Sequence, residues 1–296
     1  MKIMMHERFL SFLKEPLESM GHTVSTEDKD GILWIGYPSQ FEGVDFYPNL
    51  KYIQTLSAGY DELNLEDLKQ RNITLSNAKG AYSESIAEYV IGHVLSVYKN
   101  AWTYMTHQKN KTWEKNTMVK ELRNKKVFYL GTGSIGSETA KRFKVFGTTN
   151  IGFNSNGRKI DHFDVTYPLS TLNTHLKDAD IVVASLPSNE TTTHLITSTE
   201  VNLMKPGSVL VNVGRGSLID EASVKDHIDH LQALILDVFE VEPLNEKSYL
   251  WHRDNVIITP HISGQSEFSD ENLKTLVLKN VNHIMSETPL ENLIKL

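Results

Sequence analysis

The stretch KVFYLGTGSIG, residues 126–136, decides how this chain folds. Its first five residues form an apolar run with strand character, and the rest opens the amphipathic stretch SETAKRFKVFG. In a strand–turn–helix unit, Gly131 permits the tight turn, Gly133 lets a pyrophosphate approach the backbone, and Gly136 lets helix and strand pack closely. A lone G-x-G-x-x-G pattern also fits an ordinary glycine-bearing turn. Because a strand and a helix flank this one, we predict a dinucleotide-binding loop with the phosphates at the helix N-terminus.

Short apolar runs alternate with amphipathic segments along the chain. The runs with strand character are KIMM (2–5), ILWIGY (32–37), KYIQTLS (51–57), KVFYLG (126–131), NIGF (150–153), DIVVASL (180–186), SVLVNVG (208–214), ALILDVF (233–239) and NVIITP (255–260). Several of the later runs are rich in Val and Ile throughout, which is typical of strands covered on both faces. This rhythm predicts an α/β fold built on doubly wound parallel sheets.

The length of 296 residues is sufficient for two domains, each with its own core. We predict one domain from residues 1–98 plus 267–296 and an inserted Rossmann domain from residues 99–266. A helix is expected over residues 84–98. The final helix, from about Glu267, should return to pack on the first domain.

The composition, with 40% hydrophobic and 23% charged residues, is that of an ordinary globular protein. A net charge of −7 argues against a nucleic-acid partner, although a small anionic substrate in a local positive pocket remains compatible. The chain has no cysteine, which excludes disulfides, thiolate metal sites and a cysteine nucleophile. No signal-peptide core or long apolar span is visible, so we expect a cytoplasmic protein without a membrane partner. Trp102, Trp113 and Trp251 are expected to be packing groups.

The strand after the glycine loop ends at Asn154, 23 residues beyond Gly131, where an acidic residue would bond the ribose hydroxyls of NAD. Asn keeps hydrogen bonding without repelling a 2′-phosphate. Ser155 and Asn156 add donors, and Arg158, with Lys159 beside it, adds positive charge. A charge-assisted bond of this kind contributes roughly 1.5–3 kcal/mol. We therefore expect NADP(H) to be preferred over NAD(H). The alternative is that the two basic residues only decorate a solvated loop.

Three further residues follow later strands: Arg215 in NVGRGSLID, Glu242 in LDVFEVEP and His261 in TPHISG. The carboxyl ends of parallel strands share one edge of a sheet, so these side chains are predicted to converge there. A guanidinium binds a carboxylate bidentately and polarises the neighbouring carbonyl. An imidazole delivers a proton to a developing alkoxide, and a carboxylate orients that imidazole and stabilises its charged form. Each residue alone also fits a structural role.

No metal is expected. His227 and His230 are three residues apart on a predicted helix and fit a solvated face better than a metal site, because no further ligand cluster is visible.

Seven stretches, in this order, carry a resemblance to a known family: LKYIQTLSAGYDELN, SIAEYVIGHVL, YLGTGSIG, DIVVASLPSNETTTHLI, MKPGSVLVNVGRGSLIDE, LDVFEVEPL and NVIITPHISG. Over nearly its whole length the chain resembles the D-isomer-specific 2-hydroxyacid dehydrogenases. The resemblance implies a flavodoxin-like substrate domain, an inserted Rossmann domain and a homodimer. It also implies hydride transfer between a nicotinamide cofactor and a small 2-oxoacid or D-2-hydroxyacid.

The resemblance assigns roles residue by residue. It makes Arg215, Glu242 and His261 the catalytic residues, and it makes the loop at Ser57, Ala58 and Gly59, together with Arg215, the binding site of the substrate carboxylate. Asp237 is expected to hold the nicotinamide carboxamide, and Leu186 and Pro187 to lie along the adenosine. The remaining predicted cofactor contacts are Thr132, Ser134, Ile135 and Val213.

The chain departs from the family pattern in informative places. Asn154 replaces the acidic residue of NAD-dependent members, and the interval between Arg215 and Glu242 is slightly short. The absence of a regulatory extension argues against a feedback-controlled 3-phosphoglycerate dehydrogenase. Glutamate rather than glutamine at 242 argues against a formate dehydrogenase. The alternative from another class is a nucleotide-sensing, non-catalytic scaffold or co-regulator; the intact catalytic residues favour the enzyme.

Overall fold

The structure, a computed structural model, describes residues 1–115 and 118–296. The chain divides into two compact units. The first unit comprises residues 1–82 and 266–296, and the second comprises residues 83–265.

Strands and helices alternate in both units. Residues 1–82 form β1 (Lys2–Met5), α1 (Leu10–Ser19), β2 (Thr23–Ser25), β3 (Leu33–Gly36), β4 (Tyr52–Thr55), α2 (Leu65–Gln70) and β5 (Thr74–Ser76). Residues 83–265 form α3 (Ser83–Tyr98), α4 (Ala101–Lys109), β6 (Lys126–Leu130), α5 (Ser134–Lys144), β7 (Thr149–Asn154), β8 (Val165–Pro168), α6 (Leu172–His175), β9 (Ile181–Ala184), α7 (Ser198–Leu203), β10 (Val209–Asn212), α8 (Glu221–Val224), β11 (Ala233–Leu236) and β12 (Val256–Ile258). Residues 266–296 add α9 (Ser269–Met285) and β13 (Leu293–Ile294).

Each unit contains one sheet. In the first unit the strand order is β13-β5-β4-β3-β1-β2, parallel except for the antiparallel pair β13 and β5. In the second unit the order is β12-β11-β10-β9-β6-β7-β8, and all its pairs are parallel. The first order contains the flavodoxin-like arrangement, and the second is that of a dinucleotide-binding sheet whose order reverses beside β6. The predicted fold class is confirmed.

Alternation along the strands places apolar side chains on both faces of each sheet. In β1, Ile3 and Met5 face a core shared with α1 and α9, whereas Met4 faces a second core with Trp34 and Ile53. The second unit has a larger core in which β6, β7, β9, β10 and β11 all take part. Because both faces are covered, the strand ends are left as the places where polar side chains gather.

The second unit begins at residue 83 rather than at the predicted residue 99. The reason is the packing of α3, which contacts α5 and buries Ala87, Val90 and Val94. The periodicity of residues 84–98 predicted the helix, but not the unit to which it belongs. The last helix, α9, belongs to the first unit and packs on α1, as the sequence predicted.

All nine predicted strands are present in the described chain, within one to three residues at their ends. The short strands β2, β5, β8 and β13 were not predicted, since runs of two to four residues give little periodicity. The three tryptophans expected to be packing groups are exposed within the single chain: Trp113 is 94% exposed, and Trp102 and Trp251 are each 49% exposed. Among the helices that the structure describes, none combines the length and apolar character needed to span a membrane.

Candidate active site

The glycine loop lies between β6 and α5, as predicted. Gly131 has φ +105°, a conformation that glycine adopts at little cost, and its N–H donates to Phe153 O at 3.0 Å. A Cβ at Gly136 would overlap Gly131 O, whereas a Cβ at Gly133 would meet nothing within 4 Å. Gly136 is therefore required for packing, and Gly133 leaves open space beside the N-terminus of α5. The first N–H groups of a helix have no intrahelical partner, so this loop fits a phosphate group.

The loop after β7 is organised by Asn154, whose side chain is 94% buried. Its Nδ2 donates to Thr132 Oγ1 at 3.2 Å and to Arg158 O at 2.9 Å. Its Oδ1 accepts the N–H groups of Asn156 at 3.3 Å and Arg158 at 3.1 Å. The amide thus uses both protons and both lone pairs inside the protein. The ribose contact of Asn154 stays a prediction; within the chain, the Asn154 side chain shapes the loop that exposes Ser155, Asn156 and Arg158.

His261 and Glu242 form a hydrogen-bonded pair in the second unit. His261 Nδ1 lies 2.8 Å from Glu242 Oε2, and the other carboxylate oxygen accepts the Phe239 N–H at 3.0 Å. The imidazole is 54% exposed, so its Nε2 is available for a ligand while Nδ1 faces the carboxylate. This is the arrangement that a general acid requires.

The turn that carries Arg215 adjoins the turn that carries Glu242. Asn212, at the end of β10, accepts the Gly214 N–H at 3.1 Å and donates to Arg215 O at 2.9 Å. A Cβ at Gly216 would overlap Phe239 O, so the two turns are in van der Waals contact. The guanidinium donates to Gly214 O at 2.9 Å. Arg215, Glu242 and His261 therefore emerge from neighbouring strand ends of one sheet.

Asp237, fully buried at the end of β11, fixes the turn that carries His261. Its Oδ1 accepts from Thr259 Oγ1 at 2.6 Å and from the Ile262 N–H at 2.9 Å, and its Oδ2 accepts from the Ser263 N–H at 2.9 Å. Its carbonyl accepts the His261 N–H at 2.9 Å, which helps to hold His261 at φ +53°. The sequence assigned Asp237 to the nicotinamide carboxamide; within the chain, the carboxylate already accepts three hydrogen bonds.

The turn after β9 contains the residues expected along the adenosine. Leu186 is 91% buried in the core, and Pro187 O accepts from Thr192 Oγ1 at 2.6 Å. A Cβ at Gly214 would lie 2.7 Å from Leu186 O, so this turn also adjoins that of Arg215. Val213 is buried and its N–H donates to Ala184 O at 3.0 Å, which leaves its carbonyl side for contacts beyond the strand.

In the first unit, the loop at Ser57, Ala58 and Gly59 follows β4. The carbonyls of this loop and of Leu56 before it accept hydrogen bonds. Tyr82 Oη donates to Leu56 O at 2.6 Å, Asn77 Nδ2 to Ala58 O at 2.6 Å, and Ser57 Oγ to Gly59 O at 2.6 Å. Within the described residues, no acceptor is found for the N–H groups of residues 57–59. Successive free N–H groups form an anion-binding concavity. Burial raises the pKa of the Tyr82 hydroxyl well above its usual value, so it remains a donor.

Sequence reasoning missed the residues that hold these turns. Asn77, Thr259 and Asn212 lie at strand ends, and only Asn212, two residues before a glycine, carries a local turn signal.

His227 and His230, which were not expected to bind a metal, lie after α8 rather than on one helix. His227 bonds Asn202 and His230 bonds Met204 O. In the part of the chain that the structure describes, no cluster of three or more metal-ligating side chains is found.

Comparisons with known proteins identify the relatives of this chain. The family model of the D-isomer specific 2-hydroxyacid dehydrogenase NAD binding domain matches residues 91–263. The chain is 33% identical over 223 residues to a hydroxypyruvate reductase of Thermotoga maritima, covering 74% of this chain and 72% of that protein. It is 30% identical over 263 residues to a glyoxylate reductase of Thermofilum pendens, covering 86% and 78% of the two chains. A crystal structure of a D-isomer specific 2-hydroxyacid dehydrogenase family protein from Aeromonas salmonicida superposes with a TM-score of 0.88 at 29% identity, over 99% of this chain and 98% of that one.

Proposed function

This chain belongs to the D-isomer specific 2-hydroxyacid dehydrogenase family, and we propose that it reduces a small 2-oxoacid to a D-2-hydroxyacid with NADPH as the preferred hydride donor. The reaction is reversible, with the same residues acting as acid in one direction and as base in the other. When bound, the nicotinamide supplies the hydride; the chain's own side chains bind the substrate and deliver the proton.

The hydrogen bond between His261 and Glu242 carries this proposal. At 2.8 Å it fixes the imidazole so that Nδ1 faces the carboxylate and Nε2 faces outward. His261 Nε2 then donates its proton to the substrate's C2 oxygen as hydride addition to C2 makes that oxygen negative. Glu242 stabilises the charged ring before the transfer.

Arg215 and the loop at residues 57–59 are proposed to hold the substrate carboxylate. Arg215 contributes a planar set of donors and polarises the carbonyl next to the carboxylate. The free N–H groups of Ser57, Ala58 and Gly59 contribute further donors without adding net charge.

The glycine loop is proposed to hold the cofactor phosphates, with Thr132, Ser134 and Ile135 beside Gly131, Gly133 and Gly136. Leu186, Pro187 and Val213 are proposed to flank the adenosine side, and Asp237 to accept from the carboxamide through its remaining lone pair.

Support for the NADP(H) preference comes from the exposed loop, where Arg158 stands without an acidic neighbour between residues 154 and 159. NAD(H) is proposed as the less efficient cofactor.

A homodimer and a cytoplasmic location complete the proposal. The dimer is supported by α4, in which no residue is buried, and by exposed apolar side chains near it: Trp102, Met105, Trp113 and Met118. Light scattering of the purified protein tests it, and a monomeric mass contradicts it. Cell fractionation tests the location.

The decisive experiment follows oxidation of NADPH and NADH with glyoxylate, hydroxypyruvate, pyruvate and branched 2-oxoacids. Turnover of at least one of them, with higher kcat/KM for NADPH, is the expected result. Cofactor binding without turnover of any 2-oxoacid would instead favour the nucleotide-sensing scaffold. Equal efficiency with both cofactors would remove the assigned role of Arg158.

A further inference from the structure

A chain of three hydroxyl and carboxyl groups connects helix α3 to the turn that carries His261. Tyr89 Oη lies 2.7 Å from Thr259 Oγ1, and Thr259 Oγ1 lies 2.6 Å from Asp237 Oδ1. Tyr89 is half-buried, and its ring packs against His93 with 4.1 Å between ring centroids. None of the family motifs that led to the catalytic residues assigns a role to Tyr89.

The donor in each of these two hydrogen bonds follows from the number of protons that the three side chains carry. An ionised carboxylate only accepts, so the single hydroxyl proton of Thr259 must lie on the bond to Asp237. Tyr89 must then donate to Thr259. Burial outweighs the opposing effect of the Thr259 hydrogen bond and, together with the Asp237 charge, raises the pKa of the Tyr89 hydroxyl to about 12, so this proton is retained at neutral pH.

Asp237, the last of these three residues, connects to His261 through backbone hydrogen bonds. Asp237 accepts the N–H groups of Ile262 and Ser263 through its carboxylate and that of His261 through its carbonyl. A second contact from α3 reaches the same turn, since Ser85 Oγ donates to Ser263 O at 2.9 Å. His261 has φ +53°, a conformation that a non-glycine residue keeps only when its surroundings hold it.

We infer that Tyr89 is a positioning residue, which orients Thr259 and Asp237 so that the His261 turn holds the imidazole against Glu242. This inference rests on the proposed function for its kinetic consequences, since it is the general acid that Tyr89 would align. The structural part of the inference concerns the hydrogen bond between His261 and Glu242, which can be measured without any substrate.

The variants that test it are Tyr89→Phe, Thr259→Val and Thr259→Ser. Tyr89→Phe removes one hydroxyl and keeps the ring beside His93; loss of one hydrogen bond lowers kcat roughly fivefold. Thr259→Val leaves a buried carboxylate oxygen without its donor and lowers kcat roughly tenfold or more. Thr259→Ser keeps the hydroxyl and should retain kcat within about twofold. In all three, the KM for the 2-oxoacid should stay within about twofold, because no proposed contact of the substrate carboxylate is changed.

Tyr98→Phe is the matched control. Tyr98 also lies on α3 and is buried, but its ring lies beneath Lys120, which is not part of the Tyr89, Thr259 and Asp237 series. Tyr98→Phe should leave kcat unchanged, even where it lowers the melting temperature as much as Tyr89→Phe does.

A spectroscopic readout separates positioning from plain stability. In the cofactor-free protein, the ring N–H proton of His261 that faces Glu242 is assigned by comparison with His261→Gln. Its resonance should shift and exchange faster with solvent in Tyr89→Phe and Thr259→Val, and match wild type in Thr259→Ser and Tyr98→Phe. If Tyr89→Phe and Thr259→Val match Tyr98→Phe in both kcat and this resonance, the inference is overturned. If wild type turns over no 2-oxoacid, the proposed function fails, and the resonance alone still decides the inference.

Discussion

Two strand-end loops of the second unit are each organised by one buried side chain, and they are built in opposite ways. Asn154, at the end of β7, closes its own loop with bonds to residues within four positions, apart from Thr132. Asp237, at the end of β11, collects donors from a turn 22 to 26 residues further along the chain. The Asn154 amide both donates and accepts, and it bonds carbonyl and N–H groups of its own loop; the Asp237 carboxylate only accepts, and its three donors all come from the turn after β12.

The contrast has a functional meaning. The Asn154 loop is local and exposed, so its outer residues, which we propose to set the cofactor preference, can vary without disturbing the core. The turn held by Asp237 joins two strands to a helix and carries His261, the proposed proton donor. We therefore expect substitutions at the Asp237 turn to affect catalysis and folding strongly, and substitutions at the Asn154 loop to affect mainly the choice of cofactor.

The largest effect is expected for His261→Ala. Loss of a general acid lowers kcat by roughly two to four orders of magnitude, with the Kd for NADPH unchanged, as measured by steady-state kinetics and cofactor fluorescence. His194→Ala is the control, because His194 also pairs with a glutamate, Glu240, at 2.6 Å in the same unit. Activity of the His194 variant should stay within about twofold. Normal turnover by His261→Ala would remove the acid from the mechanism.

Asp237→Ala should lower the free energy of unfolding by roughly 3 kcal/mol or more, since three donors lose a charged acceptor. Chemical denaturation followed by circular dichroism measures it. Asp237→Asn keeps the shape and one acceptor oxygen, so its loss should be smaller but clear. A stability equal to wild type in both variants would show that the turn does not depend on this carboxylate.

Arg158→Ala should raise the KM for NADPH about tenfold and leave that for NADH unchanged, because only NADPH carries the 2′-phosphate that the guanidinium would bind. Arg123→Ala serves as the control, since Arg123 is an exposed arginine of the same unit that faces Glu121. Equal effects on the two cofactors would mean that Arg158 is only part of a solvated loop.

The smallest effect is expected for Asn154→Ala. It removes the bonds that shape the loop but leaves the proposed charged contact of Arg158 in place, so the KM for NADPH should rise only about threefold to fivefold, the equivalent of one hydrogen bond. Asn49→Ala, which removes an exposed asparagine of the first unit bonded to Asp30 O, should have no effect. A loss as large as that of Arg158→Ala would indicate that Asn154 contacts the ribose directly.

Much of the candidate site was accessible from local pattern. The strand–turn–helix at residues 126–144 follows from one apolar run, three spaced glycines and an amphipathic segment. Arg215, Glu242 and His261 follow from their places after apolar strands, because the ends of parallel strands lie on one edge of a sheet. These inferences need only neighbours in sequence and one rule of topology.

The sequence by itself determined the two sheets, the glycine loop and the residues at the strand ends, since periodicity and turn residues act over a few positions. Only the tertiary structure decided that α3 belongs to the second unit and that Asn154 is saturated by its own loop and Thr132. It also decided that Tyr89, Thr259 and Asp237 are hydrogen-bonded in series to the turn that carries His261. Tyr89 and Thr259 are 170 residues apart. Their contact exists because the fold of the second unit brings α3 beside the turn after β12, within hydrogen-bonding distance, and no local pattern records that packing.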